Sequence, residues 1–154
     1  MFEVRKDDLS GEGTLRLLAL HLAGMHANSP PDSVYALDLS ALKASGITVW
    51  SVWEGDEVVG IGALKELGKG SGEVKSMRTH PDHLRRGVAA LLLDHIVTEA
   101  KLRGLTRLSL ETGSGPAFEP ALAFYRTYGF VDGDAFSDYQ PSAFNQFLHL
   151  QLLG

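Results

Sequence analysis

The 32 residues GEVKSMRTHPDHLRRGVAALLLDHIVTEAKLR, from Gly72 to Arg103, decide the reading of this chain. Glu73 to Thr79 has the character of a strand and ends at His80-Pro81. A short basic loop follows, Leu84-Arg85-Arg86-Gly87, and a helix starts at once. Ala89, Leu92, Leu93, Ile96, Val97 and Ala100 form one apolar stripe at i, i+3, i+4 spacing, and Gly104 suits the helix stop. Thr106 to Glu111 reads as the next strand. A strand, a long helical crossover and another strand predict a parallel pair joined right-handedly.

The start of that helix is suited to an anion. The first turn of a helix leaves amides without partners and carries partial positive charge, and a phosphate can take those amides directly. Gly87 and Ala89 are small enough for close backbone approach. Lys75, Arg78, Arg85 and Arg86 lie nearby in an otherwise acidic chain, 14 Lys+Arg against 19 Asp+Glu for a net charge of -5. A local basic cluster on an acidic protein points to a small phosphate-bearing ligand rather than nucleic acid, which favours a broad basic surface. An ordinary solvated loop is the bland alternative for Arg85-Arg86-Gly87 alone.

The stretch Leu84-Arg85-Arg86-Gly87-Val88-Ala89 resembles motif A of the GNAT acetyltransferase superfamily, Gln/Arg-x-x-Gly-x-Gly/Ala. Leu84 stands where the family usually has Gln or Arg. That departure bears on one loop contact and leaves the main-chain contacts intact. Downstream, Ala121-Leu122-Ala123-Phe124-Tyr125-Arg126-Thr127-Tyr128-Gly129-Phe130 resembles motif B, with Ala121, Tyr125, Gly129 and Phe130 matching. Phe124 replaces the usual Leu, and Phe118 sits at the Asn position. The resemblance runs from about Val49 to Phe130. It implies an α+β fold: a mixed, mostly antiparallel twisted sheet with a parallel strand-helix-strand cofactor unit and helices on both faces. It also implies acetyl-CoA as co-substrate. Met77, Arg78 and Thr79 would face the pantetheine arm, Leu84, Arg85, Arg86, Gly87, Val88, Ala89 and Ala90 the pyrophosphate, and Phe124 and Tyr125 would lie beside them.

Acetyl transfer to an amine sets the remaining requirements. A lysine-like amine of pKa about 10.4 is neutral in roughly one molecule of a few thousand at pH 7, so a base or a water chain must take its proton. The leaving thiolate needs an acid, and a tyrosine hydroxyl can supply it. Motif B makes Tyr125 the expected acid, with Tyr128 one turn on as its competitor. Glu73 is the expected base, and Glu111 at the end of the next strand is the runner-up. Glu73 could equally be an ordinary exposed strand carboxylate. Direct attack is favoured over a covalent intermediate, because the chain has no cysteine and no activated serine motif. A small-molecule amine is the leading acceptor. A peptide acceptor and a non-catalytic CoA-binding sensor are the competing readings.

The substrate side is thinner. Ser29, Ser33 and Tyr35 are candidate acceptor contacts, by resemblance to a subgroup of small bacterial acetyltransferases. The histidines give no convincing ligand spacing, and no metal is expected. The remaining expectations are one acetyltransferase domain over residues 1–154, a cytoplasmic location and no nucleic-acid or membrane partner. In the family, homodimers can join through C-terminal strands, and Phe144 to Leu153 is apolar enough to take part. Further expected elements are a strand at Phe2–Arg5, a helix capped by Ser10 and stopped at Pro30-Pro31, and a helix over Val34–Ala44. Strands are expected at Thr48–Trp53, Val58–Leu67, Ala135–Tyr139 and Phe144–Leu152, and a helix at Phe118–Tyr128.

Overall fold

The structure, a computed structural model, describes residues 1–31 and 38–152. Within these it has seven strands and four α-helices. They are β1 (Phe2–Asp7), α1 (Glu12–Asn28), α2 (Leu39–Leu42), β2 (Ile47–Glu54), β3 (Glu57–Gly68), β4 (Ser71–Thr79), α3 (Val88–Leu102), β5 (Arg107–Thr112), α4 (Glu119–Tyr128), β6 (Val131–Asp132) and β7 (Gln146–Gln151). All seven strands form one sheet in the order β1-β2-β3-β4-β5-β7-β6. Every pairing is antiparallel except β4 with β5. The mixed α+β architecture is the expected one.

Alternation along the strands divides the apolar residues between two cores. On one face the stripe Val88, Leu92, Leu93, Ile96, Val97 and Ala100 of α3 packs with Trp50, Val52, Leu64 and Val74. On the other, Leu17 and Leu18 of α1 pack with Val49, Val58, Ile61 and Ala63. Gly60 and Gly62 of β3 let α3 lie close to the sheet. A Cβ on Gly60 would come 2.7 Å from Val88 Cγ1, and one on Gly62 would come 2.9 Å from Leu92 Cδ2.

The one parallel pairing is short. Ser71, Gly72 and Glu73 match Arg107, Leu108 and Ser109, and past Glu73 the two strands part. β5 stays paired with β7 along its whole length. Among the described residues, the remainder of β4 therefore has no strand partner on its β5 side. Near the same point β4 bulges against β3 between Lys75 and Arg78, with Ser76 at φ 57°. A bulge inserts one residue and exchanges the faces of those that follow. Met77 turns toward α3, and Arg78 turns toward α1.

Three local expectations are corrected. Ser10 does not cap α1: its hydroxyl donates to Asp8 at 2.6 Å, and the N-cap is Gly11. The turn is organised instead by Asp7, which accepts from Leu9 N, Thr14 Oγ1 and the buried Ser51 Oγ. Ala135–Tyr139 is a turn, not a strand. Tyr139 N donates to Phe136 O, and both rings pack on Phe147 of β7. The second helix is described only as the single turn Leu39–Leu42, capped by Asp38 through Ala41 N. Gly60→Ala is expected to cost about 1–3 kcal/mol by forcing Val88 off the sheet. Urea unfolding measures it, and an unchanged midpoint would mean that the close approach is not required.

Candidate active site

The parting of β4 from β5 opens a cleft of about 750 Å³ between the sheet, α1, α3 and α4. One end is the start of α3. Gly87 takes φ 84°, where glycine is favoured, and caps the helix without a side-chain bond. The first α3 amide with an intrahelical partner is that of Leu91, which donates to Gly87 O. The amides of Val88, Ala89 and Ala90 are the unsatisfied donors of the first turn. The loop before them is clamped by side-chain bonds to the β2–β3 turn. Arg86 holds Glu54 through two bonds of 3.0 and 2.6 Å and lies over the Phe2 ring. Buried His83 bonds Glu57 at 2.8 Å and Arg86 at 2.7 Å.

The four basic residues therefore do not gather around one point. Lys75 pairs with Glu73, Arg78 with His21 and Arg86 with Glu54, and Arg85 is left exposed at the rim of the cleft. Among the described residues, Glu57, His80 and His83 bring potential ligand atoms within 4.8 Å of one another. His83 is already engaged on both ring nitrogens, one of them facing the Arg86 guanidinium.

The other end of the cleft holds the carboxylates. Glu73 is 2% exposed. It accepts from Lys75 Nζ at 3.1 Å and, by a short bond, from the Tyr139 hydroxyl; Lys75 also donates to that hydroxyl at 2.6 Å. Glu111 makes no such bonds among the described residues. Burial pushes its carboxyl up to about 7, Lys75 opposing and Glu73 assisting. Tyr125 is 8% exposed, and its ring packs against Phe124 and Phe130. Burial raises its hydroxyl above the ordinary tyrosine value, so it stays protonated at neutral pH. Tyr128 donates instead to Asp94 at 2.6 Å, outside the cleft.

Residues 15–130 match the family model "Acetyltransferase (GNAT) family". The chain belongs to the GNAT acetyltransferase family. This acyltransferase is 52% identical over 136 residues to YsnE of Bacillus subtilis, an uncharacterized N-acetyltransferase, covering 88% of this chain and 90% of the relative. It is 47% identical over 152 residues to YedL of Escherichia coli, also an uncharacterized N-acetyltransferase, covering 99% and 96%. Among solved structures it resembles a Klebsiella pneumoniae protein described as an acyl-CoA N-acyltransferase, with TM-score 0.84, 26% identity and 99% of both chains covered. An acetyltransferase of the GNAT family from Elizabethkingia anophelis with acetyl-CoA bound has the same fold at TM-score 0.72, 16% identity and 98% coverage of both chains.

Tyr125, Glu73 and Glu111 all line the cleft of this acetyltransferase. So do the residues expected at the cofactor, with the exception of Arg86. Leu84 is exposed there, and Phe118 is buried at the N-cap of α4 against Phe144. Ser29 does not line the cleft, although its neighbour Asn28 does. Ser33 and Tyr35 lie outside the described residues. The sequence reading missed Tyr139 and His21 as cleft-side partners, and it missed Ser76, whose hydroxyl is buried with no partner among the described residues. Lys75 was detectable as a partner of Glu73, two residues away on the same strand face. Tyr139, 66 residues from Glu73, carried no local signal.

Because the carboxyl of Glu111 is raised from 4.5 to about 7, the folded protein holds an extra proton between these values. Stability therefore falls as pH rises through that window. Glu111→Gln is expected to flatten this segment of the stability curve, measured by urea unfolding at a series of pH values. A segment of equal slope in both proteins would show that Glu111 does not titrate there.

Proposed function

We propose that this protein transfers the acetyl group of acetyl-CoA to an amine of a small molecule by direct attack. The supporting observation is a single cleft with unsatisfied helix amides at one end and, at the other, a carboxyl poised near neutrality and a protonated tyrosine. The diphosphate of acetyl-CoA is assigned to the amides of Val88, Ala89 and Ala90, with Leu84, Arg85 and Gly87 shaping the loop. Its pantetheine arm is assigned to the open edge of β4 at Met77, Arg78 and Thr79, with Phe124 alongside.

In the proposed reaction the neutral amine attacks the thioester carbon. The C–N bond forms and the C–S bond breaks. The amine proton goes to Glu111, and the thiolate takes a proton from the Tyr125 hydroxyl. Glu111 is preferred to Glu73 as base because an effective base has a pKa near the working pH, and its own is about 7. Glu73 already accepts from Lys75 and Tyr139. Its proposed role is to hold Lys75 and to bias Glu111 toward the protonated form. A confined cleft of about 750 Å³, walled by α1, suits a small acceptor.

Acetyl-CoA at about 100 times its dissociation constant is expected to stabilise the fold by about 2.7 kcal/mol, with no effect of ATP or NAD. An absent shift with acetyl-CoA sinks the reading. In a thiol-release assay across amines and peptides, Tyr125→Phe should lower kcat by about a hundredfold while acetyl-CoA affinity is retained. The wild-type kcat should rise with pH through about 7, and Glu111→Gln should lose that limb. Equal turnover by Tyr125→Phe and wild type would remove Tyr125 from the acid role.

A further inference from the structure

We propose that the α1 wall of the cleft is an anion subsite, in which the Arg78 guanidinium holds the carboxylate of an acceptor bearing both an amine and a carboxylic acid. The inference rests on the acetyltransferase reading above and names the chemical class of its acceptor.

The bulge at Ser76 is the first part of the argument. Glu73 and Lys75 share one face of β4, and simple alternation would put Met77 there next. The inserted residue sends Met77 to the α3 side and delivers Arg78 to the α1 side, among the groups proposed to handle the amine. His21, Gly24, Met25 and Asn28 form the stripe of α1 that lines the cleft opposite it.

The second part is charge. Arg5, Arg16, Arg86, Arg103 and Arg126 each hold a carboxylate, Arg107 bonds His149 and Ser109 away from the cleft, and Arg85 is exposed. Arg78 is half-buried and holds none among the described residues. Its Nε donates to His21 Nδ1 at 3.2 Å, which fixes the plane of the guanidinium and uses one of five donors. His21 is buried and carries no compensating charge. Burial and the nearby Arg78 and Lys75 push it down to about 4, so it is neutral at working pH. The charge of Lys75 is already met by Glu73. A desolvated guanidinium without a counter-ion is costly, and an arriving carboxylate removes that cost through a fork of paired hydrogen bonds. One guanidinium beside a neutral imidazole balances one negative charge, which suits a carboxylate better than a phosphate dianion.

The third part is space. A Cβ at Gly24 would lie 2.9 Å from Arg78 Nη2, so the absence of a side chain there makes room for the guanidinium.

The test compares amino acids, their primary amides and the corresponding decarboxylated amines as acceptors, with thiol release as the readout. Free acids should exceed their amides in kcat/KM by about ten- to hundredfold, and Arg78→Met should bring the ratio to about one through KM. Gly24→Ala should narrow the ratio in the same direction while keeping or raising Tm, because alanine is the better helix former. That variant separates loss of the subsite from loss of the fold. N-acetylated amino acids and their amides are also titrated calorimetrically onto the CoA-loaded protein, where only the acids should bind. Amides used as well as acids, or acids that bind wild type and Arg78→Met equally, overturn the subsite. If CoA itself fails to bind, the acetyltransferase reading falls; the same titration on the unloaded protein then decides whether Arg78 holds a carboxylate.

Discussion

The cleft in this fold follows from the brevity of one parallel ladder. β4 and β5 share only three residue pairs, Ser71 to Glu73 against Arg107 to Ser109, before they separate. Backbone groups in a sheet ordinarily demand partners, and an unpaired buried strand edge is costly. Here the loss is confined to one side of one strand. β5 is secured by β7, and β4 remains secured by β3 apart from the bulge. α3 bridges the opening by packing on β3, where Gly60 and Gly62 admit it, so its N-terminus faces the gap. The same separation that leaves β4 donors and acceptors free gives a bound molecule a strand-like edge to lie along.

The buried carboxylates at the deep end differ because their neighbours differ. Glu73 has a cation and a phenol donating to it. Glu111, two residues past the last β5 position paired with β4, has burial without a hydrogen-bond donor among the described residues. Two carboxylates near one lysine cannot both be fully compensated, and the one left over carries the raised pKa. This division of labour needs no special residue at Glu111 itself. It arises from Lys75 and Tyr139 having already been claimed.

Much of the architecture was readable from local pattern. The α3 stripe, the breaks at Pro30-Pro31 and Gly104, and the strand runs at Thr48–Trp53 and Val58–Leu67 are short-range signals, and the elements lie near their expected bounds. The helix start at Gly87 was readable for the same reason, since it depends on backbone. What failed was long-range or competitive. Ser10 looked like a cap, but Asp8 takes its hydroxyl and Asp7 organises the turn. Ala135–Tyr139 looked extended, but its aromatic rings gain more by closing over Phe147. The basic cluster looked like one feature because its members were close in sequence. Side-chain partners on three different elements dispersed it. The bulge at Ser76, which exchanges the faces of Met77 and Arg78, left no mark in composition.

The clamp on the loop before α3 has a thermodynamic meaning. Glu54 and Glu57 flank the β2–β3 turn, and they grip the loop through Arg86, outside the cleft, and through His83, which lines it. Its shape is thus set by the protein's own ion pairs before any molecule arrives. Ordering a flexible loop subtracts from affinity, whereas a loop already frozen subtracts little. The hairpin tip therefore acts as the mould in which the loop before α3 is cast.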